Sequence, residues 1–361
     1  MHLDAFLWDA IALEQLPTIA GDLERIGYDA LWAGEVQHDP FLQLSRIAET
    51  AKRVTLGTAI AVASSRSPIT MAHLGWDMQR YTAGRFILGL GSSTRLQVEE
   101  RYGMPWGRPA ARMADYAAAV RAVWAAWDSG EPLNHRGPFY RHTLMLPNFT
   151  PPRHDYGPPP LYLAAVGPKM VTVAGESFDG VHLIGFQSAA YLREVTVPAL
   201  TAARAAVGKT MDDFVVNTPV VVTAGRNDEE LETATAEAKH RLAYYLSVPD
   251  YRPMLAHHGW EDVQTELAAL QAAERYDEMA ARIPNEVWDA YVLTGTPSQI
   301  AVQAFDRLYG IVDRISMVSM ASAQNPISEM ARELAAAFRD EKARRTEIAF
   351  RLSDQSTTAG L

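Results

Sequence analysis

The chain contains no cysteine among its 361 residues. That absence excludes disulfides, thiolate metal sites and a cysteine nucleophile, and it fits a reducing cytosol. No run approaches the ~18 apolar residues that a membrane span needs. Basic residues are in the minority, 33 against 43 acidic, for a formal net charge of −10. They are also dispersed, whereas binding a nucleic-acid backbone takes a basic face, so no nucleic-acid partner is expected. The N-terminus enters an apolar segment at once, without a basic start or a signal-like core, so the expected location is cytoplasmic, with no membrane association. Several catalytic motifs are missing too. There is no GxxxxGK[ST] loop, no HExxH helix and no GxSxG elbow. Gly89-Leu90-Gly91-Ser92-Ser93-Thr94 lacks the third glycine of a dinucleotide fingerprint. The histidines do not fall at metal-ligand spacing, and no metal is expected.

What is present is an alternation. With 48% hydrophobic and 21% charged residues the composition is that of an ordinary globular protein. Strand-like segments fall at 2–8, 29–34, 54–62, 85–90, 161–165, 180–184, 214–223 and 314–318, with helix-like segments between them. Residues 54–91 show the pattern most clearly. An apolar strand ends in Ala63-Ser64-Ser65, Ser67 and Pro68 open a helix as N-cap and first residue, and Phe86-Ile87-Leu88 starts the next buried strand. Eight such units favour an α/β (β/α)8 TIM barrel over an open sheet. We expect one domain over residues 1–350 and a polar C-terminal tail at 351–361. Two insertions interrupt the rhythm. Residues 131–160 read as a short hairpin followed by a stretch with six prolines between Pro147 and Pro160, neither helix nor central strand. Residues 248–284 carry His257-His258-Gly259-Trp260 and a helical stretch. The substrate is expected to be set by these two insertions. A helix over 108–128 places Met113, Tyr116, Ala117, Val120, Trp124 and Trp127 on one stripe, which reads as packing against the barrel.

In such barrels the reacting groups sit on the loops that follow the strands. The second strand exits at Glu35-Val36-Gln37-His38-Asp39, the fourth at Gly91-Ser92-Ser93-Thr94-Arg95, and the fifth at Gly167-Pro168-Lys169. The backbone N–H groups and hydroxyls of Gly91, Ser92 and Ser93, with a helix N-terminus at Gly167 and the charge of Lys169, would together hold a phosphate. His38 and Asp39 form the polar pair best placed for proton transfer. Trp8, at the first strand exit, is a candidate ring or substrate wall.

These residues resemble the bacterial-luciferase-like flavin and deazaflavin oxidoreductases. The resemblance covers roughly residues 1–320. It rests on Gly27-Tyr28-Asp29-Ala30-Leu31-Trp32, LGTAIAVASSRSPITMAH, GRFILGLGSS, ERYGMPWGRPAARM, PPPLYLAAVGPKM and Thr294-Gly295-Thr296-Pro297. It implies a (β/α)8 barrel with insertions and a non-prolyl cis peptide at Ala59-Ile60, forming a bulge behind a cofactor ring. It places the cofactor phosphate at Gly91, Ser92, Ser93, Gly167, Pro168 and Lys169. The implied cofactor is coenzyme F420, with FMN as the alternative. The implied activity is hydride transfer between F420 and a small organic substrate. An FMN-dependent monooxygenase or a non-catalytic flavin-binding protein are the alternatives, and a homodimer is the expected assembly. Luciferase and sugar-phosphate dehydrogenase relatives place a histidine directly after the acid at the second strand exit. Here Glu35 is followed by Val36, and Thr94 falls where some deazaflavin dehydrogenases carry an acid. The chemistry of those relatives does not carry over intact.

Overall fold

A computed structural model describes residues 1–7, 11–319 and 327–358, with side chains up to residue 349. The barrel strands are β1 (His2–Leu7), β2 (Ala30–Ala33), β3 (Thr55–Thr58), β4 (Phe86–Gly91), β5 (Leu161–Ala164), β6 (Gly180–His182), β7 (Val215–Ala224) and β8 (Arg314–Ser319). Each pairs in parallel with the next, and β8 pairs with β1 through His2 opposite Arg314, so the sheet closes. All eight lie where the apolar runs place them. β4 is the clearest case, with every residue of FILGLG buried, as expected of a strand covered on both faces.

The helices start where their caps require. Asp39, Ser67 and Thr296 each accept backbone N–H bonds at an N-cap followed directly by proline, and Thr296 with Gln299 completes a capping box. The helix Pro109–Ser129 buries the whole expected stripe, including Trp124 and Trp127. The main core therefore lies between barrel and outer helices.

The barrel interior is plugged by large and polar side chains. Asp4 accepts bonds from Trp32 Nε1 at 2.8 Å and from Arg314 at 2.8 and 2.7 Å. Trp32 meets the His182 ring edge-on at 4.9 Å. Room for the plug comes from glycine. A Cβ at Gly57 would lie 2.3 Å from the Trp32 ring, and one at Gly89 would lie 1.9 Å from the Thr58 carbonyl oxygen and 2.7 Å from His182 Nε2.

Three features depart from the sequence reading. A further strand, Val292–Gly295, pairs with the end of β7 outside the barrel ring. The last helix runs Glu329–Thr358, past the expected tail boundary, because residues 350–358 contain neither glycine nor proline to stop it. The proline-rich segment is an outer strap. Trp76 donates to the Pro152 carbonyl at 3.2 Å and packs against the His154 ring at 4.3 Å and a tilt of 40°. Tyr156 packs over Gly84, before the start of β4. The strap thus covers the outer helix Pro68–Tyr81. The hairpin before it, with His135–Arg136 paired to Arg141–His142, is held by Asp115. Among the described residues no helix is long and apolar enough to cross a membrane.

Candidate active site

The third strand does not run straight to its exit. It stops at Thr58, the Ala59–Ile60 peptide is cis, and pairing resumes at Ala61–Val62 against Leu90 and Gly91. The chain around this break is braced from β2. Glu35 donates its N–H to the Ile60 carbonyl at 3.1 Å. Its carboxylate accepts from Val62 N–H at 2.8 Å, Arg66 at 2.6 Å, Ser65 Oγ at 3.3 Å and the Tyr102 hydroxyl at 3.2 Å. Both charged side chains are largely buried, Glu35 at 9% exposure and Arg66 at 14%. Burial works against the Arg66 charge, but Glu35 and then Asp39 outweigh it and hold the guanidinium above its ordinary pKa. Burial, and then the Glu35 charge, push the Tyr102 phenol up, so it stays protonated and donates.

Asp39 is occupied. One oxygen caps the helix Pro40–Ala48 through Phe41 and Leu42, and the other pairs with Arg66. His38 beside it is half-buried and has no hydrogen-bond partner among the described residues. Val36, which directly follows Glu35, is 51% exposed.

At the β4 exit the Ser92 hydroxyl donates to the Ser93 carbonyl at 3.1 Å, and the Ser93 hydroxyl has no partner among the described residues. Gly91 is buried beneath Ile60, and its Cβ would come within 2.8 Å of that side chain. Ser92 and Ser93 are half-buried, and Ser93 takes a positive φ of 60° that turns the chain outward. Gly167 is exposed, with nothing within 4 Å of its Cβ position, and is the N-cap of the ten-residue helix Pro168–Ser177. Lys169 is exposed in the first turn, with no ion pair among the described residues. Between the β3 and β4 exits, Ser64 Oγ and Arg112 Nε are buried without partners, and both line a small void with Ser92 and Trp106. Open space, orphaned donors and a free cation fit an anion better than a metal. Among the described residues no three metal-ligating side chains come together.

Across the mouth lies a cavity of about 600 Å³. Its floor is Phe6 of β1, Pro219 and Val221 of β7 and Val318 of β8, with Ile184 and Gly185 from the β6 exit. The Phe6 ring stands 3.5 Å from the Cβ position of Gly34, and the Ala59 carbonyl oxygen stands 3.3 Å from it. Phe6 therefore stands between the cavity and the β3 break. Its outer wall is not the proline-rich segment. It comes from the helix Asp228–Leu246 and, in the second insertion, from Tyr276 and Met279. The cavity size suits a drug-sized ligand.

The structure thus gathers Ala59, Ile60 and Gly91 into one group, with Ser92 and Ser93 at the same exit and Gly167, Pro168 and Lys169 on the next strand exit. Trp8 lies outside the described residues. His257 and His258 do not converge on one point: His257 pairs with Glu194 at 3.2 Å, and His258 bonds Ser188 Oγ at 2.7 Å. The residues missed in the sequence are Arg66 and the aromatic face of Asp228–Leu246. The second left a trace, since His240, Arg241, Tyr244 and Tyr245 follow a helical i, i+1, i+4, i+5 spacing.

A family model for luciferase-like monooxygenases matches residues 3–312. The chain belongs to the luciferase-like monooxygenase family. Among its luciferase-like relatives, an uncharacterized protein of Mycobacterium tuberculosis is 42% identical over 306 residues, covering 85% of this chain and 90% of that one. Another M. tuberculosis protein, provisionally named a coenzyme F420-dependent oxidoreductase, is 29% identical over 82% of this chain and 88% of its own. Two solved luciferase-like structures share the fold. The coenzyme F420-dependent tetrahydromethanopterin reductase of Methanopyrus kandleri has a TM-score of 0.74 at 16% identity, covering 93% of this chain and 97% of its own. The oxygenating constituent of 3,6-diketocamphane monooxygenase from Pseudomonas putida, in complex with FMN, has a TM-score of 0.66 at 16% identity, covering 92% and 96%. The luciferase-like scaffold thus spans F420 and FMN enzymes.

Proposed function

We propose that this luciferase-like oxidoreductase binds coenzyme F420 at the barrel mouth and moves a hydride between it and an organic substrate. One observation carries the reading. The β3 break at Ala59–Ile60 lies between Phe6, which lines the cavity, and Gly91, which leads into the Ser92-Ser93 exit with its anion-binding groups. A flat ring with a phosphorylated tail needs that combination. The name of the 29%-identical relative favours F420 over FMN.

Each group in the site then has a task. Ala59 and Ile60 back the ring, and Glu35 with Arg66 holds that backing in place. Gly91, Ser92 and Ser93 approach the phosphate through backbone and hydroxyl, while Lys169 and the N-terminus of Pro168–Ser177 supply positive potential. When bound, a deazaflavin supplies a ring carbon that accepts or donates hydride and reacts poorly with oxygen. His38 is the proton carrier, because both oxygens of Asp39 are engaged and the histidine has no hydrogen-bond partner among the described residues.

Titration of the purified protein with F420 and, separately, with FMN tests the proposal, read by fluorescence. Saturable F420 binding supports it, with a Kd that rises about fivefold in Lys169→Ala, the loss of one charge-assisted contact to an anion. Tight FMN binding with no F420 binding would refute it.

A further inference from the structure

The outer wall of the cavity has a chemistry of its own. Along Asp228–Leu246, Ala238, Leu242, Ala243 and Leu246 are buried in a second apolar cluster, with Leu255, Leu267 and Leu270 of the second insertion and Val221 of β7. His240, Arg241, Tyr244 and Tyr245 fall on another face and line the cavity. Tyr276 adds to this wall from the second insertion.

The aromatic rings are left open. Tyr244, Tyr245 and Tyr276 are 49%, 37% and 50% exposed, although they belong to a cavity wall. Tyr245 is stacked on Phe186 at 4.4 Å and 26°, which fixes the orientation of both rings. A clustered, exposed aromatic surface of this kind marks a contact site for an apolar partner. The helix Asp228–Leu246 brings basic side chains to this wall. Among the described residues no aspartate or glutamate lines the cavity, whereas His240 and Arg241 do. Arg241 is exposed and has no ion pair among the described residues. Arginine on such a wall suits a planar carboxylate, which its fork can bind in two-point fashion.

We propose that the substrate cavity takes a flat aromatic acid, its rings against Tyr244, Tyr245 and Tyr276 and its carboxylate directed to Arg241. This rests on reading the barrel mouth as the substrate site of an F420 oxidoreductase, and it adds the substrate class. An aliphatic acid would use the cation but waste the oriented rings. A neutral aromatic would use the rings but leave Arg241 without its anion.

Calorimetric titration with three probes tests this: 2-naphthoate, 2-naphthamide and decanoate. The wild-type protein binds 2-naphthoate about fivefold more tightly than 2-naphthamide, in keeping with a solvent-accessible charge pair. Arg241→Ala brings the two within twofold while Arg241→Lys keeps part of the preference, and Tyr276→Ala weakens both aromatic probes. Unchanged thermal unfolding of the Arg241 variants shows that the loss is local. Equal affinity for acid and amide in the wild type overturns the proposal, as does a preference that survives in the His240→Ala, Arg241→Ala double variant, or decanoate binding more tightly than 2-naphthoate. F420 titration of the same samples separates the two readings. Retained naphthoate preference with no F420 binding upholds the ligand class and defeats the cofactor reading. F420 binding without any naphthoate preference defeats the ligand class alone.

Discussion

Replacing Glu35 with alanine removes the group that ties the β2 exit to the chain following the β3 break. Four contacts to the carboxylate disappear, from Val62 N–H, Arg66, Ser65 and Tyr102. Breaking one side of a buried ion pair costs about 3–5 kcal/mol, because the remaining charge is left uncompensated. Arg66 keeps Asp39, whose side chain is 45% exposed, so the expected cost falls at the low end, about 3 kcal/mol. Glu35→Gln keeps the shape and part of the hydrogen bonding, and is expected to lose roughly half as much. In a barrel of this size about 3 kcal/mol corresponds to a fall in Tm of roughly 5 °C. The same substitution frees the chain at Ala59–Ile60, so F420 affinity drops more than stability alone would require. The assay is a double-mutant cycle over Glu35→Ala and Arg66→Ala, read by thermal unfolding and by cofactor titration at a temperature where all variants are folded. The expected coupling is above 1 kcal/mol in order of magnitude. Additive effects, or a Glu35→Ala protein with unchanged Tm and unchanged cofactor affinity, would refute the brace.

Three other outcomes follow from the interior and the outer shell. Burial, and then the Arg314 charge, push the His182 pKa down from 6.5 to about 3. Below 6.5 the unfolded chain takes up a proton that the folded chain refuses, so stability falls as pH drops from 6.5 toward 3, by up to about 1.4 kcal/mol per pH unit. Plotting Tm against pH should show this slope, shallower by one proton's worth in His182→Gln, and equal slopes would count against it. Gly89→Ala would set a Cβ 1.9 Å from the Thr58 carbonyl oxygen, so the expected result is insoluble protein on expression, and a soluble variant with near-native Tm would contradict the packing. Trp76→Ala removes a side chain that is only 1% exposed and should cost about 3–5 kcal/mol. It should also speed proteolysis within the proline-rich strap while leaving cofactor affinity unchanged, whereas a lost cofactor site would put the strap back at the active site.

The barrel was legible in the sequence because its strands are covered on both faces and read as unbroken apolar runs, Phe86 to Gly91 most plainly. The helix start at Ser67-Pro68 was legible as cap and first residue, whereas Asp39 read as half of a polar pair and its capping role shows only in the structure. The strand Val292–Gly295 was not, since it is short and ends in the same Gly295-Thr296-Pro297 that announces a helix. Proline content told what 147–160 could not be, but not where it packs. That depends on Trp76, far away in sequence. The Glu35–Arg66 pair lies outside any local motif, its partners 31 positions apart. The cavity wall on Asp228–Leu246 was hidden by the charge of that helix. Its acids crowd the first turn, and its tyrosines come only at the end.

The central claim is that a cofactor ring lies between the Ala59–Ile60 break and the cavity over Phe6. A crystal structure of the protein grown with F420 measures this directly. The expected density places the deazaflavin ring against Ala59 and Ile60, its phosphate within hydrogen-bond reach of Gly91 to Ser93 or the Gly167–Lys169 turn, and its open face toward the cavity. A ring bound elsewhere on the chain, or an anion loop left empty beside a bound ring, would contradict the account.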